Sequence, residues 1–212
     1  MMRLMPSKFD LIRRLKGKRV LDLGGVGYSG NKVRDKILAD AWNGVVRTVL
    51  DVDPKADVVL DLNQLPLPDL KGEPLETRGK PLETRGKPLE TRGRFDVAVA
   101  FDVLEHLKHP ALVLEWIPAD ELWLNVPTAT SLLCQKIERE CHKKTPDFRH
   151  LFSFNMITVV NLVESCGWQV VEKCYTLDRQ SWRGELFNRL ASLVPYWMSM
   201  GITLHCVREK KV

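Results

Sequence analysis

Two patterns of apolar residues recur along this chain. Short continuous apolar runs suit strands buried on both faces. They stand at Lys18–Leu23 (KRVLDL), Val45–Val52 (VVRTVLDV), Asp57–Leu62 (DVVLDL), Phe95–Phe101 (FDVAVAF) and Glu121–Val126 (ELWLNV). Other stretches have helical spacing. Residues 6–16 place apolar side chains at 9, 11, 12 and 15, and residues 31–42 at 33, 37, 38 and 41. Residues 129–141 and 154–166 follow the same rule, the latter stopped by Gly167. Val103–Trp116 also reads as helix, interrupted by Pro110. Trp168–Leu177 and Ile202–Arg208 are late, more polar strands that suit an antiparallel edge pair. Strands alternating with helices predict an α/β fold, a doubly wound and mostly parallel sheet.

The connections qualify this picture. Only Pro54–Ala56 separates the second and third runs, whereas a parallel crossover takes a dozen residues or more. The third strand is therefore expected to be short, displaced, or not paired beside the second. PLETRGK at 74–80 recurs at 81–87, and PLETRGR follows at 88–94. Each heptad carries a proline and a glycine, which excludes a coiled coil. The period is too short for a solenoid. Residues 72–94 thus read as a duplicated surface loop, a tolerated insertion because lengthening a loop costs little entropy. Residues 178–200 mix aromatics between Trp182 and Trp197 with Arg183 and Arg189, and read as a packed cap.

At 212 residues, the chain suits one domain over 1–212. No run approaches the ~20 apolar residues that span a bilayer, and the first twenty residues lack the apolar core of a secretory signal. Five cysteines (Cys134, Cys141, Cys166, Cys174 and Cys206) form no framework, which points to reduced thiols and a cytoplasmic location. The net charge of +5 permits contact with nucleic acid. No module of interleaved aromatic and basic residues supports such contact.

Candidate chemistry gathers at the ends of the apolar runs. Val20–Gly27 (VLDLGGVG) puts glycines where a strand gives way to a helix, so a ligand can approach backbone and free N–H groups. In open α/β sheets, this edge is where ligands sit. Asp51 and Asp53 end the second run, at the distance from the glycines where a carboxylate accepts from ribose hydroxyls. Asp61 and Leu62 end the third, an acid for an exocyclic amine and a flat apolar contact for a base. Phe101–His106 (FDVLEH) follows the fourth.

Taken in order, VLDLGGVG, LDVDP, LDLNQLPLPD and RFDVAVAFDVLEHLKHP resemble the successive motifs of class I S-adenosylmethionine-dependent methyltransferases. The likeness is to the small-molecule group with a Leu-Glu-His element, and FRHLFSFNMITVVNLVESCGWQV at 148–170 extends it. The resemblance implies a Rossmann-like, three-layer α/β/α domain with a seven-stranded sheet and an antiparallel edge strand. It also implies an S-adenosyl-L-methionine cofactor and a small-molecule methyl acceptor. Asp22, Leu23, Gly24, Gly25, Val26 and Gly27 would meet the methionine and ribose end. Asp51 would hold the ribose hydroxyls, with the adjoining Val52 also at the cofactor, Asp61 and Leu62 would frame the adenine, and Phe101 and Asp102 would line the sulfonium end. The glycine turn departs from the family's three spaced glycines, with Val26 and Tyr28 at two of the expected positions.

Methyl transfer from a sulfonium depends on alignment, and a base is needed only where the acceptor must lose a proton early. His106 and His150 are the candidate catalytic bases. Cys134, Cys141, His142 and His150 match no paired metal-ligand spacing, so no metal is expected. Three other readings stay open: a non-catalytic cofactor-binding module, an RNA methyltransferase, and an NAD-dependent oxidoreductase. The last draws on the spacing of Gly25, Gly27 and Gly30. Oligomeric state is not readable from these patterns.

Overall fold

The structure is a computed structural model that describes residues 8–26, 39–65, 67, 76–77, 80–81, 95–131, 135, 150–176, 199 and 201–209. Seven strands form one sheet: β1 (Arg19–Leu23), β2 (Val46–Asp51), β3 (Val58–Val59), β4 (Phe95–Phe101), β5 (Ala119–Pro127), β6 (Trp168–Thr176) and β7 (Gly201–Arg208). Their order across the sheet is β3-β2-β1-β4-β5-β7-β6. The strands from β3 to β5 run parallel to one another, and β7 is antiparallel to both β5 and β6. This is the Rossmann-like mixed sheet expected, with its antiparallel pair at one edge.

Alternation along the strands divides the core in two. Leu21, Leu23, Leu50, Ala98, Ala100, Leu122 and Leu124 point to one face. There they meet α2 (Pro110–Trp116) through Val113 and Leu114, and α3 (Met156–Ser165) through Val159 and Val163. Val20, Val97, Val99 and Trp123 point to the other face and meet Leu11 and Ile12 of α1 (Lys8–Arg13) and Leu15 just beyond it. Helices on both faces make the three layers, and they explain why the central strands read as largely apolar runs.

Local chemistry sets the helix ends. Pro110 does not interrupt a helix; it occupies the first turn of α2, where its missing N–H costs nothing. The preceding Leu104–His106 forms a separate 3-10 turn. Asn155 caps α3 by accepting from the N–H groups of Ile157 and Thr158, both at 2.9 Å, while its own N–H donates to Thr158 Oγ1. Trp168, fully buried at the start of β6, donates from Nε1 to the Leu114 carbonyl at 2.9 Å and stacks beneath Arg208.

The short link after β2 has the expected consequence. β3 is two residues long, yet it pairs in parallel with β2, Leu50 opposite Val58 and Asp51 opposite Val59. Six residues make the connection without a helix, held by turns in which Asp53 Oδ1 accepts from Lys55 N–H and Asp57 Oδ2 from Val49 N–H. With no crossover helix in that link, Val59 stays 42% exposed.

Several expectations fall largely outside the described residues. Of the helix over 31–42, residues 39–42 are described and helical, with Ala41 and Trp42 in the second cluster. Of the helix over 129–141, residues 129–131 and 135 are described. In the repeat, Glu76–Thr77 pairs antiparallel with Lys80–Pro81, and the rest lies outside, as does the 178–200 cap apart from Ser199.

Candidate active site

The carboxyl ends of β1, β2 and β4 converge on the glycine turn. Gly24 donates its N–H to the Leu50 carbonyl at 2.8 Å, which ties the turn to the end of β2. Its φ of +67° suits glycine, and a Cβ there would come within 2.6 Å of Val103 Cγ2. Gly25 is confined on another side, since a Cβ would meet Asp22 and come within 2.6 Å of Arg47 Nη2. Both glycines are thus closely packed, Gly24 by Val103 and Gly25 by Asp22 and Arg47. Gly27 lies outside the described residues.

Asp51 faces this turn. Its Oδ2 accepts from Val26 N–H at 3.0 Å and its Oδ1 from Asp53 N–H at 3.1 Å. A carboxylate offers about four lone-pair sites, so roughly two remain for hydroxyl groups. Asp53, which shares the sequence motif, is buried in its own turn. Val52 is exposed.

Asp22 has a different setting from the one its motif suggests. It is nearly buried and paired with Arg47, whose Nε donates to Oδ2 at 2.6 Å. The same guanidinium donates from Nη2 to the Gly25 carbonyl at 2.6 Å and packs over the Trp42 ring. Arg47 is therefore the strut under the glycine turn, and sequence reasoning missed it. The available signal was Arg47 itself, the one basic residue of β2. Leu23 and Leu62 are buried in the core.

The remaining motifs are laced together by backbone. Asp61 Oδ1 accepts from Asn63 N–H at 2.9 Å, and Asn63 Oδ1 accepts from Lys108 N–H at 2.7 Å. The segment after β3 is thereby joined to the loop beyond the 3-10 turn. Phe101 packs against the second core cluster. Asp102 adopts φ 58°, a conformation uncommon outside glycine, and donates its N–H to the Asn125 carbonyl at 2.9 Å. That bond turns the chain sharply from β4 into Leu-Glu-His.

His106 and His150, remote in sequence, are brought together. Their rings meet edge to face with centroids 4.8 Å apart. The Glu105 carbonyl accepts from Leu151 N–H at 2.6 Å and Phe152 N–H at 3.2 Å. Phe154 in turn bridges to Thr128, and its carbonyl accepts from Ala129 N–H at 2.7 Å. Residues 150–154 therefore lie across the ends of β4 and β5. Cys134, Cys141 and His142 lie outside the described residues. Cys166, Cys174 and Cys206 are buried free thiols, and burial pushes Cys206 up to about 12, away from nucleophilic use.

Among the described residues, no helix is long and apolar enough to cross a membrane. No family model matches the chain, and no curated protein matches it. Solved structures do resemble it. One is the partner of the Trm112 methyltransferase activator in a complex from Haloferax volcanii, with TM-score 0.58 and 13% identity over 97% of this chain and 90% of that one. Another is an S-adenosylmethionine-dependent methyltransferase from Mesorhizobium loti, with TM-score 0.57 and 12% identity over 96% and 98%. A third is magnesium protoporphyrin IX methyltransferase from Synechocystis with bound S-adenosylhomocysteine, with TM-score 0.51 and 15% identity over 95% and 82%. At such identities the likeness concerns architecture. In strand order, in the antiparallel seventh strand and in overall shape, the chain has the fold of class I methyltransferases.

Proposed function

We propose that the chain is an S-adenosylmethionine-dependent methyltransferase acting on a small-molecule acceptor. One contact carries the reading: the Asp51 carboxylate bonds to Val26 N–H. It joins the candidate ribose acid to the glycine turn at the carboxyl edge of the sheet. The residues present fit an adenosyl group. Asp51 keeps acceptor capacity for two hydroxyls, and Gly24 and Gly25 leave the backbone of the turn uncovered by side chains of their own.

Bound there, the cofactor would supply an activated methyl group. The chain's part is to orient it. Asp51 holds the ribose, Asp61 and Leu62 frame the adenine, and the Gly24–Val26 backbone meets the amino-acid end. Arg47 keeps that backbone in place through Gly25 and Asp22. Phe101 and Asp102 bound the reacting end. His106 and His150 are the proposed basic groups for an acceptor that must lose a proton.

A dinucleotide-dependent oxidoreductase is less well supported. The dinucleotide fold has strand order 3-2-1-4-5-6, whereas here an antiparallel β7 lies between β5 and β6. Titration calorimetry with S-adenosylmethionine, S-adenosylhomocysteine and NAD tests the reading. Binding of both adenosyl ligands and not NAD is expected, and a preference for NAD would overturn it. Transfer of labelled methyl into the small-molecule fraction of a cell extract, rather than into RNA, tests the acceptor class.

A further inference from the structure

The Leu-Glu-His turn carries a second chemistry. Glu105, His106 and His150 each present one ligand-type atom, and these atoms all lie within 4.8 Å of one another. His106 Nε2 is 3.9 Å from Glu105 Oε1. We propose that these three side chains form a binding site for a divalent ion of the zinc class.

The donor set is two imidazoles and a carboxylate, which suits zinc and neighbouring transition metals better than magnesium or calcium. Zinc bonds to such donors are about 2.0–2.2 Å long, which puts tetrahedral ligand atoms roughly 3.3–3.5 Å apart. The donors must therefore close by about 1 Å or slightly more, which side-chain rotation supplies. Both histidines are partly exposed and have that freedom, whereas Glu105, at 1% exposure, anchors the inner end. The main chain does not need to move. The Glu105 carbonyl already holds Leu151 and Phe152 through their N–H groups, so His150 stays beside the turn that carries its co-ligands. Glu105, His106 and His150 each make a further contact within the chain. A dication also offsets the cost of keeping the Glu105 carboxylate out of water.

Three protein ligands leave a coordination position open, as in catalytic rather than closed structural zinc sites. The three side chains lie near the ends of β4 and β5. On the methyl-transfer reading, on which this consequence rests but the metal site does not, an acceptor thiol or hydroxyl bound there would ionise more readily. The imidazoles would then serve as ligands instead of bases.

The test uses the full chain without a histidine tag, stripped by a chelator and titrated with zinc and with cobalt(II). One ion per chain is expected. His106→Gln and His150→Gln should each weaken binding by more than about tenfold, as should Glu105→Gln. His109→Gln, a neighbouring exposed histidine outside the cluster, should leave binding unchanged. Circular dichroism checks that each variant is folded, and the conservative glutamines preserve side-chain size should the anchor be sensitive. The cobalt form should show nitrogen and oxygen ligation without thiolate charge-transfer bands. The site is overturned if the wild type binds no zinc at micromolar concentration, if binding survives both histidine substitutions, or if thiolate bands reveal cysteine ligands. None of these readouts depends on methyl transfer, so failure here and failure of the enzyme assignment are separable.

Discussion

The Asp51 carboxylate and the Val26 N–H are joined at 3.0 Å, and that bond makes two separate sequence motifs into one wall. Asp51→Ala removes both the wall's brace and the proposed ribose acceptor. S-adenosylmethionine affinity should fall by about 1–3 kcal/mol, the range for charge-assisted bonds lost from a site. Calorimetry reads the change directly. Unaltered affinity would remove Asp51 from the ribose.

Gly25 tolerates no side chain in its present surroundings. In Gly25→Ala the new methyl presses on Asp22 and Arg47, at 2.6 Å from Nη2. Overpacking of this kind costs about 1–3 kcal/mol. Urea unfolding should show that loss, with cofactor affinity lowered as well because the turn is displaced. A variant as stable and as tight-binding as the wild type would mean the turn yields freely.

Arg47 should matter more for stability than its place on an outer strand suggests. Arg47→Met takes the guanidinium away from the Asp22 carboxylate in a nearly buried position. Breaking such a pair costs about 3–5 kcal/mol, while replacing both partners is far milder. Adding Asp22→Asn should therefore restore part of the lost stability, a coupling measured by a double-mutant cycle. Additive effects would show that the pair contributes little.

His205 confers a pH dependence on folding. It stacks on Trp123 with centroids 4.2 Å apart, and its Nε2 lies 3.6 Å from Glu121. Burial pushes its pKa below the ordinary 6.5, against the raising influence of Glu121 and Glu172 and with a small lowering from Lys18. Once the pH falls below 6.5, the unfolded chain binds the proton more readily than the folded one. Stability is then lost as the pH drops toward the folded-state pKa, and this contribution is level above 6.5. His205→Phe keeps the stack and removes the titration. Urea unfolding at about pH 7.5 and pH 5.5 should show a smaller acid loss in the variant than in the wild type. Equal losses would place the acid sensitivity elsewhere.

Much of the fold could be read from the chain because burial writes itself into sequence. The central strands β1, β4 and β5 are covered on both faces, so their residues must be apolar almost without a break. The acids at the strand ends stand out against those runs for the same reason. Local rules decided the start of α2 at Pro110 as well, though periodicity alone misread it as a break. Tertiary structure decided what depends on neighbours far along the chain. It placed β7 between β5 and β6, set Arg47 beneath Gly25, and carried His150 to His106. No pattern within one segment encodes such meetings, because each arises from how separate segments share the same two faces and the same edge of a sheet.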